Sequence, residues 1–451
     1  MAKSQSDTEA ERKVDATPTK AFFISMLTRD IGLIPAVVDL VDNSVDGATR
    51  LRGKRSFRQL WVRLEVSAKQ LRVADNCGGI EEELARKYAF RFGRPEEAPL
   101  IKHSIGRFGV GMKRSVFKVG KKFRVESQAR SSRFVLDVDV DEWARDDKAW
   151  EFEFEEVQTS MRGVAADALG TVVEVTDLHG DVAEEFQRSG FIKRLEVAIK
   201  ARLQSALARG LSITLNGIPI GEQPYKVLAS SGLTPAYKRL YYRDGGKAVK
   251  VKLYCGVGTS DRQMAGWHVF CNGRLVLKAD KTDATGWGRK TTTRIPGFHP
   301  QYNRFRGFAY FDSDDPARLP WDTTKTRVDE DSPVYRATLP KMKRLMRPVI
   351  NFLNKLKEER EGRADEEQEG PLEEILSEAP EVALDSTSTR KVFEPPKPKA
   401  KRKRSGPKMQ RIQYDRPIDK VEQVKKALDV RSFKKAGEGT FDYFYEAECQ
   451  D

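Results

Sequence analysis

Residues 37–48 place two carboxylates and an amide on one side of a predicted helix. The segment reads VVDLVDNSVDGA, and at about 100° per residue Asp39, Asn43 and Asp46 fall within a narrow arc. The opposite side is apolar and consists of Val37, Leu40, Val41, Ser44, Val45 and Ala48. Carboxylates can take a proton from water, and oxygen ligands can hold magnesium. An ordinary amphipathic surface helix gives the same pattern, so the segment needs support from elsewhere in the chain.

Two glycine-rich segments follow this helix and supply that support. VADNCGGI at 73–80 is a predicted strand that runs into a glycine turn carrying Asp75. IGRFGVGMKRSVFKVG at 105–120 is a glycine loop that opens into a basic, amphipathic helix. Together the three segments offer carboxylates, an amide and a phosphate-binding loop.

The glycine loop is not a P-loop, although Gly106 and Gly111 have the G-x-x-x-x-G spacing. Met112 stands where a P-loop requires lysine, and no Ser or Thr follows to hold magnesium. What remains is a row of backbone N–H groups at a helix N-terminus, which can bind phosphate. This row consists of Gly109, Val110, Gly111 and Met112. Lys113 or Arg107 would add positive charge, and a solvated lysine is the alternative interpretation of Lys113.

The order of these motifs resembles the GHKL ATPases, the superfamily of gyrase B, MutL, the large heat-shock chaperones, histidine kinases and MORC proteins. DLVDNSVDGA, DNCGGI and GRFGVGMKRSVFKVG look most like MORC and the related stand-alone bacterial ATPases. The resemblance covers about residues 17–350. It implies ATP and Mg²⁺ as ligands.

The resemblance also implies roles for the helix residues. The family's first acidic position is normally a glutamate that acts as the base for hydrolysis, and here Asp39 replaces it with a side chain one methylene shorter. ATP binding is therefore expected, with slow hydrolysis. Asn43 matches the asparagine that binds magnesium. Asp46 is expected to support the sheet or the water network.

The resemblance places the adenine site at the glycine turn. Asp75 would accept a hydrogen bond from the exocyclic amine, and a hydrogen bond to a charged group contributes about 1.5–3 kcal/mol. Gly79 would let the base approach the backbone. Cys77 stands where the family usually has its first glycine. Thr171 in GTVVEVTDL matches a late family threonine that contacts the adenine site.

One further lysine lies far along the chain, in LPWDTTKTRVD. Gyrase-type and MutL-type ATPases use a lysine on a second-domain loop to contact the terminal phosphate. Lys325 matches this position better than Arg327 does, with an exposed loop lysine as the alternative.

Composition is that of a protein without a membrane span. Hydrophobic residues make up 39% of the 451 residues and charged residues 33%. No run approaches the roughly 18 apolar residues of a span, and the polar start lacks a signal-peptide core. A cytoplasmic location without membrane contact is therefore expected. The scattered cysteines and histidines favour neither a disulfide framework nor a zinc site.

The predicted fold class is α+β, with a two-layer α/β sandwich of the Bergerat type followed by a second α+β domain of the gyrase B/MutL transducer type. Asn-Gly pairs at 216–217 and 272–273 predict hairpins in that second domain. The loop at 92–104 is a candidate lid over the nucleotide. The predicted parts are a flexible strap at 1–16, the ATP-binding domain at 17–179, the second domain at 180–357, a disordered charged linker at 358–411 and a small C-terminal module at 412–451.

The linker ends in a basic run. KPKAKRKRSGPKMQR at 397–411 holds eight Lys or Arg residues and no acid, in a chain of net charge +14. It lacks aromatic residues, so contact with DNA phosphates is expected rather than base stacking. A solvated linker or a nuclear import signal is the alternative. In the C-terminal module, DKVEQVKKALDV has a helical pattern and TFDYFYEAE is strand-like or a short aromatic anchor.

These features favour an ATP-gated clamp that dimerises on ATP binding and acts on DNA, with a bacterial antiviral or restriction-type system as one setting. The rival hypothesis is a non-hydrolysing nucleotide-binding module among other protein subunits of a larger assembly. A histidine kinase is disfavoured because no histidine precedes the ATP motifs. A topoisomerase would need a cleavage subunit, and a chaperone would carry a long client-binding domain.

Overall fold

The computed structural model describes residues 16–53, 55–93, 104–106, 109–146, 148–244, 247–288, 295–363, 370–396 and 412–449. The chain divides into two compact units, Met1–Pro398 and Lys399–Asp451. Both helices and sheets are present, so the predicted α+β class is confirmed.

The helices of the first unit are α1 (Lys20–Arg29), α2 (Leu33–Arg52), α3 (Glu82–Leu84, continued by a π-turn at Ala85–Ala89), α4 (Gly111–Val119), α5 (Val140–Trp143), α6 (Gly180–Gln187), α7 (Ser189–Arg202), α8 (Gln204–Ala208), α9 (Pro333–Glu361) and α10 (Pro371–Glu378). The strands are β1 (Trp61–Val66), β2 (Leu71–Asp75), β3 (Gly120–Gln128), β4 (Arg133–Asp139), β5 (Phe154–Gln158), β6 (Gly170–Leu178), β7 (Ser212–Leu215), β8 (Ile218–Pro219), β9 (Lys226–Leu228), β10 (Ala236–Asp244), β11 (Lys247–Val257), β12 (Gly266–Cys271), β13 (Arg274–Asp280), β14 (Phe305–Ser313) and β15 (Glu381–Ala383).

The predicted acid-amide helix is α2. Most of its apolar side chains are buried, and Gly53, with φ +60°, ends it by donating its backbone N–H to the Thr49 carbonyl. Glycine is favoured at this position because residues with a Cβ are strained in the left-handed region. Helix α2 packs against α4 and α7, which fixes the helix beside the glycine loop.

Eight of the described strands form the first sheet, in the order β5-β4-β3-β6-β2-β1-β7-β8. Strand β1 reads WVRLEV, and Val62, Leu64 and Val66 are buried whereas Arg63 and Glu65 are exposed. One face of the sheet therefore packs on helices and the other faces solvent, which is the alternation that a two-layer arrangement requires.

This sheet extends beyond the predicted boundary at residue 179. Strand β7 pairs in parallel with β1, and the turn at Asn216 and Gly217 connects β7 to β8 within the same sheet. The prediction that assigned this hairpin to the second domain is wrong, because a parallel pairing across about 150 residues leaves no local sequence signal.

The second sheet has the order β10-β11-β14-β12-β13, and α9 packs on β10, β11 and β14. The turn at Asn272 and Gly273 joins β12 to β13 as the sequence predicts, with both residues at positive φ. Strand β12 is buried along its whole length.

The prediction of a disordered linker from residue 358 is wrong for 371–396. Helix α9 continues to Glu361, α10 follows, and β15 pairs with β9. Leu376, Leu384 and Phe393 are buried in this segment, so a few apolar residues anchor it within charged surroundings. The basic run at 397–411 lies outside the described residues.

The second unit contains α11 (Ile418–Ala427) and α12 (Phe433–Glu448). TFDYFYEAE belongs to α12, so the strand-like prediction is wrong. Ser432 caps the helix by accepting from the Lys435 backbone N–H, and Phe441 stacks on Tyr445 one turn later. The aromatic residues follow the helical spacing of four rather than the alternation of a strand.

In the part of the chain that the structure describes, none of the helices alone has the length and apolar character needed to cross a bilayer. Helices α1 and α2 meet these criteria only as a pair, and they are bent by 97° at their junction.

Candidate functional site

A cavity of about 220 Å³ lies between α2, the glycine turn after β2 and the start of α4. Its walls bring together most of the predicted site residues. Those that line it are Asn43, Asp46, Asp75, Gly79, Gly109, Val110, Gly111, Met112, Lys113, Thr171 and Lys325. Asp39 lies behind the wall, next to Arg114 and Lys325, which do line the cavity. Arg107 lies outside the described residues.

One end of the cavity is built around Asp75. Ser44 Oγ donates to Asp75 Oδ2 at 2.6 Å, and the Cys77 backbone N–H donates to Oδ1 at 2.8 Å. Thr171 lies opposite Asp75 in the ladder between β2 and β6. Burial raises the pKa of Asp75, because desolvation outweighs these hydrogen bonds. Ser44, which the helical pattern assigns to the apolar side, holds this carboxylate in place.

The glycine turn allows an unusually close approach of chain segments. A Cβ on Gly79, whose φ is +67°, would lie 2.1 Å from the Gln128 carbonyl oxygen. A Cβ on Gly47 would lie 2.8 Å from the Cys77 carbonyl oxygen. Cys77 is buried, and burial raises the pKa of its thiol. The thiol is therefore protonated and packs as a small apolar group where the family usually has glycine.

Asp46 ties α2 to the glycine loop. Its carboxylate accepts from the backbone N–H groups of Ile105 at 2.6 Å and Gly106 at 2.7 Å. Burial raises the pKa of Asp46 to about 6, against the effect of these two hydrogen bonds. The contacts make Asp46 a positioning residue for the loop.

Helix α4 begins at the cavity, with Val110 at its N-cap. Lys113 is buried rather than solvated, and its Nζ donates to the carbonyl oxygens of Gly109 and, at 2.8 Å, Ala89. Burial lowers the pKa of Lys113 to about 7. The lysine therefore links the π-turn to the glycine loop.

A network of buried charges closes the other end. Arg114 Nη2 contacts Asp39 Oδ2 at 2.7 Å, and Lys325 Nζ lies 3.4 Å from Asp39 Oδ1 and 3.1 Å from Asp42 Oδ2. Arg274 Nε donates to Asp42 Oδ2 at 3.1 Å. Burial alone would raise the pKa of Asp39, but Lys325 and Arg114 outweigh it and the pKa is lowered. Asp39 is therefore ionised, with each oxygen held by a cation.

Three members of this network were not predicted. Asp42 lies 60° from Asp39 around the same helix, so the helical pattern could have identified it. Arg114 is one basic residue among several in MKRSVFK, and Arg274 carries no motif. Their roles depend on contacts between residues more than 70 positions apart along the chain.

Asn43 is exposed on the cavity wall and offers an amide oxygen. Magnesium usually takes one or two protein oxygens and completes its shell with phosphates and water. Among the described residues no three His, Cys, Asp or Glu side chains cluster as metal ligands. The single amide oxygen of Asn43 fits the protein's share of a magnesium shell that phosphates and water complete.

Comparison with known proteins agrees with this geometry. Residues 31–171 match the family model described as histidine kinase-, DNA gyrase B-, and HSP90-like ATPase. No curated protein matches the chain. The matched range contains the helix α2, the glycine turn, the glycine loop and Thr171. The match supports a GHKL-type ATPase domain at residues 31–171 and indicates ATP as its ligand.

Proposed function

We propose that this chain binds ATP with Mg²⁺, hydrolyses it slowly and acts as an ATP-gated dimeric clamp on DNA. The observation that carries the proposal is the position of Lys325. This residue comes from the loop between β14 and α9, yet its Nζ lies between Asp39 and Asp42 at one end of the cavity. A loop next to the second sheet thus reaches the end of the site where a terminal phosphate would be bound.

The network supplies a gate. A terminal phosphate would compete with Asp39 and Asp42 for Lys325, because all three are anions that seek the same ammonium. Release of Lys325 frees Asp39 Oδ1 to accept a proton from water, while Arg114 keeps Oδ2 in place. Arg114 also donates to the Thr323 carbonyl oxygen at 3.1 Å. Movement of the Lys325 loop would therefore displace a hydrogen-bond partner of α4.

Magnesium would neutralise phosphate charge and hold the phosphates in line, and Asn43 is the residue that would bind it. Asp75 and Thr171 would hold the adenine, and the start of α4 with Lys113 would face the phosphates. Arg107, within the sequence of this loop, would add charge.

The remainder of the proposal concerns partners. Residues after the first sheet would act as a transducer of the gyrase B/MutL type, and two copies would associate when ATP is bound. The sequence pI near 9.4 and the basic run at 397–411 support DNA as the partner. We also propose that the chain is related to MORC proteins and works in an antiviral or restriction-type system.

A second function has its own support. Asp39 is shorter than the usual glutamate, and both its oxygens are engaged by cations. These features favour a nucleotide-binding module that does not hydrolyse ATP and that works with other protein subunits.

Steady-state turnover at saturating ATP and Mg²⁺, with and without duplex DNA, tests the two functions. Asp39→Asn should abolish turnover and retain ATP binding, whereas Asp39→Glu should speed turnover by extending the reach toward water. A tenfold change corresponds to about 1.4 kcal/mol of barrier, so a small gain in geometry is measurable. Asp181→Asn, an exposed position on α6, is the control.

Stimulation by DNA would support the clamp. Equal rates in the wild type and Asp39→Asn would remove Asp39 as the base, and absence of any turnover would favour the binding module. Removal of one partner from a buried ion pair can destabilise the fold, so urea unfolding of each variant accompanies the rates.

A further inference from the structure

The edge strand of the second sheet alternates tyrosine and arginine on one face. Strand β10 carries Tyr237, Arg239, Tyr241 and Arg243 at every second position, so their side chains share a face. The residues between them lie on the opposite face, where Leu240 packs against the core.

Strand β11 adds two lysines to the same face. Lys252 lies directly opposite Arg239, and Lys250 lies directly opposite Tyr241. We refer to this surface as the Tyr–Arg face, made of Tyr237, Arg239, Tyr241, Arg243, Lys250 and Lys252.

Its charges are not balanced by ion pairs. Arg239 opposite Lys252 is a like-charge cross-strand pair, which destabilises a sheet. None of the four cations forms a salt bridge with any residue that the structure describes. Asp312, opposite Lys250 on β14, and Asp385, near Tyr254, are two acids against four cations, so positive charge remains in excess. The surface thus attracts an anion.

The tyrosines are held in a fixed arrangement beside these cations. Arg239 donates from Nε to the Tyr237 hydroxyl at 3.1 Å and from Nη1 to the Tyr241 hydroxyl at 3.5 Å. Tyr241 is 56% exposed, and Tyr237 lies against Tyr254 with ring centroids 4.7 Å apart. One exposed tyrosine and one half-buried tyrosine are thereby interleaved with positive charge.

We propose that the Tyr–Arg face binds single-stranded nucleic acid, with bases stacked on Tyr237 and Tyr241 and phosphates held by the four cations. Aromatic rings between basic residues suit unpaired bases, since stacking accepts any base and the backbone supplies the charge. The bases of a duplex are already stacked, and an acidic peptide would use the cations without the rings. The inference rests on the proposed function only in taking nucleic acid as the partner.

Fluorescence anisotropy of a labelled dT20 strand with the full chain tests the proposal. Tyr241→Ala should weaken binding about fivefold or more, because stacking of one base contributes roughly that much. The double variant Arg239→Ala with Arg243→Ala should flatten the plot of log affinity against log salt by about 1.4, at roughly 0.7 per phosphate contact on a single strand.

Lys238→Ala is the matched control, because Lys238 is exposed on the same strand with the opposite side-chain phase. It should leave affinity and salt slope close to wild type. Equal binding by wild type and Tyr241→Ala would overturn the proposal, as would equal losses in the Lys238 and Arg239 variants. Tighter binding of a duplex, or displacement of the strand by polyglutamate at equal charge, would also overturn it.

Two measurements separate this inference from the proposed clamp. Turnover of ATP by Tyr241→Ala without nucleic acid should equal the wild-type rate, because the face does not line the cavity. Strand binding by Asp75→Asn should persist when ATP affinity is lost. If the protein binds a single strand but DNA never stimulates turnover, the clamp proposal is wrong and the proposal for the Tyr–Arg face is retained.

Discussion

Asp39 and Lys325 illustrate why a buried ion pair points to function more than to stability. Two charges taken out of water recover their desolvation cost only with favourable geometry, and apolar packing of the same volume is often as stable. The pair joins residues that lie 286 positions apart. A contact that contributes little to net stability but can be broken by an incoming anion suits a gate.

The first prediction concerns Asp75. Asp75→Asn should lose ATP affinity and keep the fold. The amide oxygen can still accept from the Cys77 backbone N–H, but the amide NH2 group would face the exocyclic amine of adenine, which is also a donor. Isothermal calorimetry of ATP binding measures the loss. Asp137→Asn, an exposed carboxylate on β4, is the control. Unchanged affinity in folded Asp75→Asn would remove this residue from the site.

The second prediction uses the pKa of Lys113. Since burial lowers this pKa to about 7, the lysine is mostly neutral at pH 8, and phosphates placed beside it would favour the ammonium form. ATP binding at pH 8 should therefore take up a proton, and affinity should fall as pH rises above 7. Calorimetry in buffers of different ionisation enthalpy measures the uptake.

Lys113→Met should abolish that uptake, whereas Lys118→Met on the same helix should retain it. The lowered pKa of Lys113 also makes the stability of the fold depend on pH. The unfolded chain binds more protons at this lysine between pH 7 and its ordinary pKa of 10.5. The free energy of unfolding of the wild type, relative to that of Lys113→Met, should therefore increase as pH rises across this window. Identical proton uptake in all three proteins would contradict the assignment.

At the scale of elements, the glycine turn after β2 brings two chain segments close together at the Asp75 end of the cavity. Gly79 and Gly163 both have positive φ, at +67° and +71°. A Cβ on Gly163 meets nothing within 4 Å, whereas one on Gly79 meets the backbone of Gln128. The two positions therefore share the conformational strain and differ in space.

The third prediction compares these positions. Gly163→Ala should cost about 1 kcal/mol, which is the usual cost of a side chain at positive φ. Gly79→Ala should cost markedly more and also weaken ATP binding, because β3 must move away from the turn. Urea unfolding and calorimetry measure both effects. Equal costs at the two positions would mean that the turn relaxes freely.

Sequence patterns identified the elements that carry their own periodicity. Helix α2, the hairpin at Asn272 and Gly273 and the helix after the glycine loop all follow from local spacing. Strand β7 could not be placed because its partner β1 is distant in the chain. The segment 371–396 has too few apolar residues to stand out, and its buried side chains pack on surfaces supplied by the second sheet and by α9.

At the scale of the whole molecule, the second sheet and the loop that follows β14 contact residues of the candidate site at three places. Lys325 and Arg274 contact Asp42, and Asn272 Nδ2 donates to the Ser104 carbonyl oxygen at 3.0 Å. Ser104 adjoins the residues that Asp46 holds. Occupation of the cavity would therefore be transmitted to the second sheet through contacts that already exist.

The last prediction concerns the basic run at 397–411, which lies outside the described residues. Its eight Lys or Arg residues offer up to eight phosphate contacts, and log affinity for duplex DNA should fall with log salt by roughly 0.9 per contact made. Deletion of the run should lower duplex affinity and flatten that slope in filter-binding titrations. Replacement by a Gly-Ser segment of equal length controls for linker length. The Tyr–Arg face should still bind a single strand after deletion, because it lies elsewhere in the chain. If duplex affinity and salt dependence are both unchanged, the run does not hold DNA.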